Sequence, residues 1–153
     1  MPFQNEREFE AHIRQLITKN VLRYDENLVM IRNKKAVDIL ICGNGKRPAL
    51  YFIEIKYHLT RHGRLGTGHG KGGGIQPEIL QLQPDYFKKQ MRWVLGSENH
   101  EGYWMVTNKD LMDYIAGSVI GEKYNNIQTR LFKDLPPFTE RGFIKELKNW
   151  LLL

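Results

Sequence analysis

The sequence predicts an α/β protein that folds as a single domain, with a central mixed β-sheet flanked by helices. The chain has 153 residues, a common size for one domain and enough to bury a sizeable core. Helical and strand-like segments alternate along it, which favours helices layered on a sheet. The sequence shows no internal repeat and no linker-like stretch, so we expect one domain over residues 1–153.

The first predicted element is an amphipathic helix over residues 5–20. Asn5 followed by Glu8 has the spacing of a capping box, which predicts where the helix begins. Its apolar residues recur on one face at helical spacing and are Phe9, Ile13, Leu16 and Ile17. We expect this face to pack against the sheet.

Strand-like segments follow over residues 28–32, 36–42 and 49–58, rich in β-branched and aromatic residues. A Gly43-Asn44-Gly45 turn separates the last two, so we expect them to form a hairpin.

The second half of the chain begins with a loop rich in glycine, histidine and arginine over residues 60–74. A helix is expected next, because Pro84 lies near its start and Gly96 follows its end. The remaining predicted elements are that helix over 84–95, a strand over 102–107, a short helix over 110–116 and an amphipathic helix over 140–152.

Composition limits the classes of function. The single cysteine, Cys42, excludes an internal disulfide framework and a cysteine-cage zinc site. The sequence has neither an apolar run of about 18 residues nor a signal-peptide pattern at its start. We therefore expect a cytoplasmic protein without a membrane partner.

The distribution of charge indicates a polyanionic partner. The chain carries 23 Lys and Arg against 17 Asp and Glu, a formal net charge of +6. No acidic residue occurs from Ile55 to Pro77. Within this stretch Arg61, Arg64 and Lys71 are the candidate contacts to nucleic-acid phosphates, although residues 123–137 are an equal candidate for the recognition loop.

Three polar residues interrupt the apolar hairpin strands. Glu54 and Lys56 are two residues apart and so share one face of a strand, opposite Ile53 and Ile55. Asp38 interrupts the preceding apolar run and would approach Glu54 across the hairpin. Two neighbouring carboxylates suit Mg²⁺, which prefers oxygen ligands, and a lysine beside them could assist an attacking water. The pattern therefore predicts metal-dependent phosphodiester hydrolysis.

Asp38 followed by Glu54-Ile55-Lys56 resembles the motif of the PD-(D/E)xK nuclease superfamily, which includes restriction endonucleases, Holliday junction resolvases and Mrr-like nucleases. The resemblance covers about the first 107 residues in element order. One departure is Val37 where the motif has proline.

The resemblance implies a restriction-endonuclease-like fold and a Mg²⁺-dependent endodeoxyribonuclease, with Mn²⁺ as a substitute cofactor. It implies that Asp38, Glu54 and the backbone carbonyl of Ile55 bind the metal and that Lys56 is the catalytic lysine. An acidic residue of the first helix, Glu10, would complete the site. The implied partner is double-stranded or branched DNA, cut by a homodimer because two sites are needed for two strands.

Several alternatives stay open at this stage. Glu54 and Lys56 could form an ion pair on an open sheet face, and Glu10 could simply pair with Arg14 one helical turn on. The fold could serve as a catalytically inactive DNA-binding or assembly module. An RNA nuclease is a third alternative, because no residue identifies a reader of the 2′-hydroxyl.

Overall fold

The protein is described from a computed structural model, which covers residues 3–25, 28–32, 38–43, 49–62, 65–66, 89–116 and 126–151. The helices are α1 (Glu6–Asn20), α2 (Asn108–Met112), α3 (Leu131–Asp134) and α4 (Glu140–Leu151), with 3₁₀ turns at Leu22–Tyr24 and Thr60–His62. The strands are β1 (Leu28–Arg32), β2 (Ile39–Gly43), β3 (Ala49–His58), β4 (Leu65–Gly66), β5 (Met91–Ser97), β6 (His100–Val106), β7 (Ile115–Ala116) and β8 (Asn126–Ile127).

A five-stranded mixed sheet forms the centre of the described fold, in the order β1-β2-β3-β5-β6. Every neighbouring pair in this sheet is antiparallel except β3 and β5, which run parallel. A smaller sheet has the order β4-β8-β7. The expected mixed α/β arrangement and the hairpin of β2 and β3 are therefore confirmed.

One face of the large sheet is covered by α1 and α4. Asn5 caps α1 as predicted, because its side chain accepts a hydrogen bond from the Glu8 N–H at 2.9 Å. The predicted apolar faces of the two helices are buried with the odd-numbered residues of β3, and this cluster includes Phe9, Ile13, Ile17, Ile53, Ile55, Tyr57, Phe143 and Leu147. Burial of this cluster fixes α1 against β3.

The opposite face of the sheet has a second core. It contains Met91, Trp93 and Leu95 of β5, Trp104 and Val106 of β6, and residues of α2 and α3. The Trp93 indole N–H donates to Asn108 Oδ1 at 2.5 Å, so the buried polar edge of the indole is satisfied. Within the described residues, no helix has the length and apolar character needed to span a bilayer.

Two predicted helices differ from the structure. Of the helix expected over 84–95, residues 84–88 lie outside the described part, and residues 91–95 belong to β5. Met91 and Trp93 to Ser97 are buried, so β5 has no polar face to alternate with an apolar one. The helix expected over 110–116 begins at Asn108 and ends at Met112, and Ile115–Ala116 form β7.

Gly96 allows α1 to approach the sheet closely. A Cβ at this position would lie 2.8 and 2.9 Å from two ring carbons of Phe9, and 2.9 Å from Cδ1 of Tyr57. Gly96 is the register partner of Tyr57. The glycine therefore permits the packing of α1 over the second half of β3, where the candidate site lies.

Candidate active site

The candidate site lies where β2 separates from β3. Backbone pairing of the two strands runs from Gly43 opposite Ala49 to Ile39 opposite Ile53. Beyond Ile53, β3 continues to His58 with β5 as its strand partner on the other side. Beyond Ile53, the Asp38 side chain therefore contacts the edge of β3 that pairs with β2 earlier in the strand.

Asp38 and Glu54 hold each other in place at this edge. The Asp38 backbone N–H donates to Glu54 Oε1 at 3.1 Å, and Asp38 Oδ2 accepts from the Ile55 backbone N–H at 2.7 Å. The expected approach of the two carboxylates across the hairpin is therefore seen. The Asp38 carboxylate occupies the position at which the next ladder partner of Ile55 would stand.

These hydrogen bonds leave oxygen atoms for a ligand. Among the hydrogen bonds between described residues, none uses Asp38 Oδ1 or Glu54 Oε2. The N–H and C=O groups of one strand residue point to the same side, so the Ile55 carbonyl faces the edge on which Asp38 lies. Asp38 Oδ1, Glu54 Oε2 and the Ile55 carbonyl are therefore the oxygen atoms that could bind a ligand at this edge.

Lys56 is buried beside this group, with 11% of its side chain exposed. Its ammonium Nζ lies 3.7 Å from Oε1 of Glu6, the first residue of α1. Glu54 is also buried, so the pair does not lie on an open sheet face. Burial of an ammonium requires compensating acceptors, and Glu6 supplies one.

Glu6 is the site residue that the sequence did not identify. Its carboxylate contacts Lys56 and interacts with the Tyr57 backbone N–H, which lowers the pKa of Glu6 against the larger effect of burial. One observation could have found it: Glu6 and Glu10 are four residues apart and so share a helix face. Either could therefore have been the helix acid.

Glu10 has a different partner. Its Oε1 accepts a close hydrogen bond from Nη2 of Arg14, one turn along α1. Arg14 Nη2 also donates to the Asp38 carbonyl at 3.1 Å. Glu10 therefore lies near the site but is held by Arg14, whereas Glu6 contacts the lysine.

The carboxylates influence one another strongly. Burial, followed by the negative charge of Asp38, raises the pKa of Glu54 from 4.5 to about 8. Burial likewise raises the pKa of Asp38 and that of Glu6. With a pKa of about 8 and no metal ion bound, Glu54 is thus protonated over much of the neutral range. A divalent cation between the carboxylates would favour their ionised forms.

The donor set fits Mg²⁺ in number and type. In the described part of the chain, no three His, Cys, Asp or Glu side chains are grouped so that they could hold a metal ion. Mg²⁺ commonly takes one or two protein carboxylates and completes its shell with waters and substrate phosphate. Asp38 and Glu54, with the Ile55 carbonyl, match that smaller set.

Of the predicted phosphate contacts, one lies in the described residues. Arg61 is exposed in the 3₁₀ turn Thr60–His62, just after β3 ends. Arg64 and Lys71 lie outside the described residues. The Arg61 turn continues directly from the strand that carries Glu54 and Lys56.

Comparisons with models of known protein families, with curated proteins and with solved structures give no match to the chain. The resemblance to the PD-(D/E)xK superfamily therefore stays a prediction based on residues 38 and 54–56 and on the element order.

Proposed function

We propose that the protein is a metal-dependent endodeoxyribonuclease with a restriction-endonuclease-like fold. The observation that carries this proposal is the pair of hydrogen bonds that hold Asp38 and Glu54 together. They lie beside the buried Lys56, at the edge where β2 ends its pairing with β3. Two neighbouring carboxylates that are largely removed from water are costly to ionise together. A role in binding Mg²⁺ or Mn²⁺ accounts for both of them.

The residues would divide the work as follows. Asp38, Glu54 and the Ile55 carbonyl would hold the metal. The bound ion would polarise a phosphate oxygen and acidify water. Lys56 would orient the attacking water and stabilise negative charge on the phosphate in the transition state. Glu6 would keep the ammonium of Lys56 in place.

The proposed substrate is double-stranded or branched DNA. The net charge of +6 favours a polyanion, and Arg61 is exposed beyond the catalytic strand. One chain supplies one set of Asp38, Glu54 and Lys56. We therefore propose that a homodimer cuts both strands, which sedimentation of the protein with and without DNA would test.

The deciding experiment compares the wild-type protein with Asp38→Asn. Each is incubated with a mixture of supercoiled plasmid and a branched DNA substrate, in Mg²⁺, in Mn²⁺ and in EDTA. We expect cutting by the wild type in either metal and none in EDTA. We expect the variant to lose at least about 100-fold in rate, because it lacks the ligand charge and keeps only one side-chain oxygen, which cannot both accept from the Ile55 N–H and bind the metal as the carboxylate does.

Asp113→Asn is the matched control, since Asp113 is an exposed aspartate after α2. It should cut at the wild-type rate. Equal cutting by Asp38→Asn and wild type would refute the site. Salt-sensitive DNA binding without cutting in either metal would favour a DNA-binding module of the same fold.

A further inference from the structure

We propose that Arg14 is a positioning residue of this site: it fixes Asp38 where β2 leaves β3 and keeps the Glu10 carboxylate paired. The inference rests on the proposed function for its catalytic consequence. Its structural part, the fixing of Asp38, is measurable without any activity.

Arg14 connects α1 to the start of β2. Its Nη2 donates to the Asp38 backbone carbonyl at 3.1 Å and also to Glu10. Only 18% of the Arg14 side chain and 19% of the Glu10 side chain are exposed. Solvent therefore screens this group of charges weakly.

A second arginine in the chain shows what an ordinary helical ion pair looks like. Arg130 and Asp134 have the same spacing of four residues, with their charged atoms 2.9 Å apart. Their side chains are 57% and 41% exposed. Exposed pairs of this kind contribute little to stability. Arg14 differs because its side chain is largely buried and also contacts Asp38, a residue outside its own helix.

The buried guanidinium is not fully satisfied. Arg14 Nε is buried and has no hydrogen-bond partner among the described residues. An unpaired buried donor is unfavourable. The two hydrogen bonds donated by Nη2 therefore offset the free-energy cost of the unpaired Nε. Together they hold the Arg14 side chain between Glu10 and Asp38.

Asp38 depends on that bridge. Its N–H is held by Glu54, its Oδ2 by the Ile55 N–H and its carbonyl by Arg14. Loss of Arg14 removes one of these three attachments. It also leaves the negative charge of Glu10, which already acts on Asp38, without its cation. Asp38 would then be less well placed to bind a metal.

The test uses three variants of the full chain: Arg14→Met, Arg14→Lys and the double variant Glu10→Gln/Arg14→Met. Arg130→Met is the matched control. Amide exchange of Ile55, measured by NMR in EDTA, reports how firmly Asp38 Oδ2 is held. Mn²⁺ titration and the rates of plasmid cutting report the consequence for the site.

In Arg14→Met we expect Ile55 exchange to accelerate about ten-fold or more, with metal affinity or cutting reduced about 10- to 100-fold, as for outer partners of metal ligands. Arg14→Lys should recover these losses only in part, because an ammonium on a shorter, more flexible side chain does not fix the directions of its donors as a guanidinium does. Arg130→Met should match the wild type in Ile55 exchange and in Mn²⁺ affinity.

Unchanged Ile55 exchange in Arg14→Met would overturn the proposal, whatever the activity. Full wild-type behaviour of Arg14→Lys would also overturn it, since charge alone would then suffice. So would complete rescue by Glu10→Gln in the double variant, because Arg14 would then serve only to neutralise Glu10. If the wild type neither binds Mn²⁺ nor cuts DNA, the proposed function fails, while the exchange data still decide whether Arg14 positions Asp38.

Discussion

The two halves of β3 differ in what lies along the edge facing β2. The first half, from Ala49 to Ile53, pairs with the backbone of β2, and its residues up to Phe52 are half-buried or exposed. The second half, from Glu54 to His58, is buried throughout and pairs with β5 on its opposite edge. One half is therefore an ordinary hairpin strand, and the other carries the candidate site.

In the second half, among the described residues, carboxylates lie against this edge of β3. The Ile55 N–H donates to Asp38, and two residues further the Tyr57 N–H interacts with Glu6. Alternate N–H groups of a strand point to the same side, so these are successive positions on one edge. Acidic side chains can thus be buried at a sheet edge where they face backbone N–H groups.

The largest expected effect comes from Lys56 in the second half. Lys56→Met removes the buried ammonium but keeps most of the side-chain volume. We expect cutting to fall by about 10²- to 10⁴-fold, the usual contribution of such a group, while the fold persists. Single-turnover cutting of plasmid in Mg²⁺ gives the rate, and circular dichroism checks the fold.

Lys145→Met is the control for this change, because Lys145 is exposed on α4. It should cut like the wild type. A Lys56→Met protein that is folded and fully active would show that the two halves of β3 do not differ in catalytic importance.

The next effect is a dependence of stability on pH. The pKa of Glu54 is about 8 in the folded protein and near 4.5 when unfolded, so the unfolded state releases its proton first. The stability this group provides is complete below about pH 4.5 and is lost as pH rises towards 8. Across that range we expect a loss on the order of a few kcal/mol in EDTA, measured by urea unfolding.

Glu54→Gln should remove much of this slope, because the amide does not titrate. Addition of Mn²⁺ at pH 8 should raise the unfolding midpoint more than at pH 5, since protons compete with the metal for the carboxylates. A free energy of unfolding that is equal at pH 5 and pH 8 in the wild type would contradict the assigned environment of Glu54.

The smallest of these effects tests the packing of α1 on the second half of β3. In Gly96→Ala, the new methyl group would lie within 2.9 Å of the Phe9 ring and of Tyr57, which should cost about 1–3 kcal/mol of unfolding free energy. Gly43→Ala, next to the first half of β3, meets its nearest atoms at 3.6 Å. Thermal unfolding should show a clear loss in the first variant and almost none in the second.

Much of the fold could be predicted from sequence where one face of an element is buried. The spacing of Phe9 and Ile13 predicted α1, and a similar stripe predicted α4. The helix predicted over residues 84–95 was wrong for Met91 to Leu95, which belong to β5. Because β5 is buried on both faces, its sequence does not alternate between polar and apolar residues as a half-exposed strand does. Its true character depends on the two cores that enclose it, and local sequence does not encode that enclosure.

The site was predictable to the same limited extent. Asp38, Glu54 and Lys56 could be identified as candidates because apolar residues flank each of them. The hairpin places Asp38 next to Glu54, as expected. The choice between Glu6 and Glu10 depended on how α1 docks against β3. That docking is set by tertiary packing at Gly96, a contact between residues far apart in the chain.

The parallel pairing of β3 with β5 has a consequence for folding kinetics. The proposed metal ligands and Lys56 all precede residue 59, and α1, β1, β2 and β3 are connected locally, whereas residues 59–90 separate β3 from β5 in the chain. Closing so long a connection is entropically costly, so we expect the β3–β5 pairing to be the slow step. Until it forms, the strand that carries Glu54 and Lys56 exposes an edge of unpaired backbone N–H and C=O groups that can pair with other chains, so refolding yield should fall as protein concentration rises.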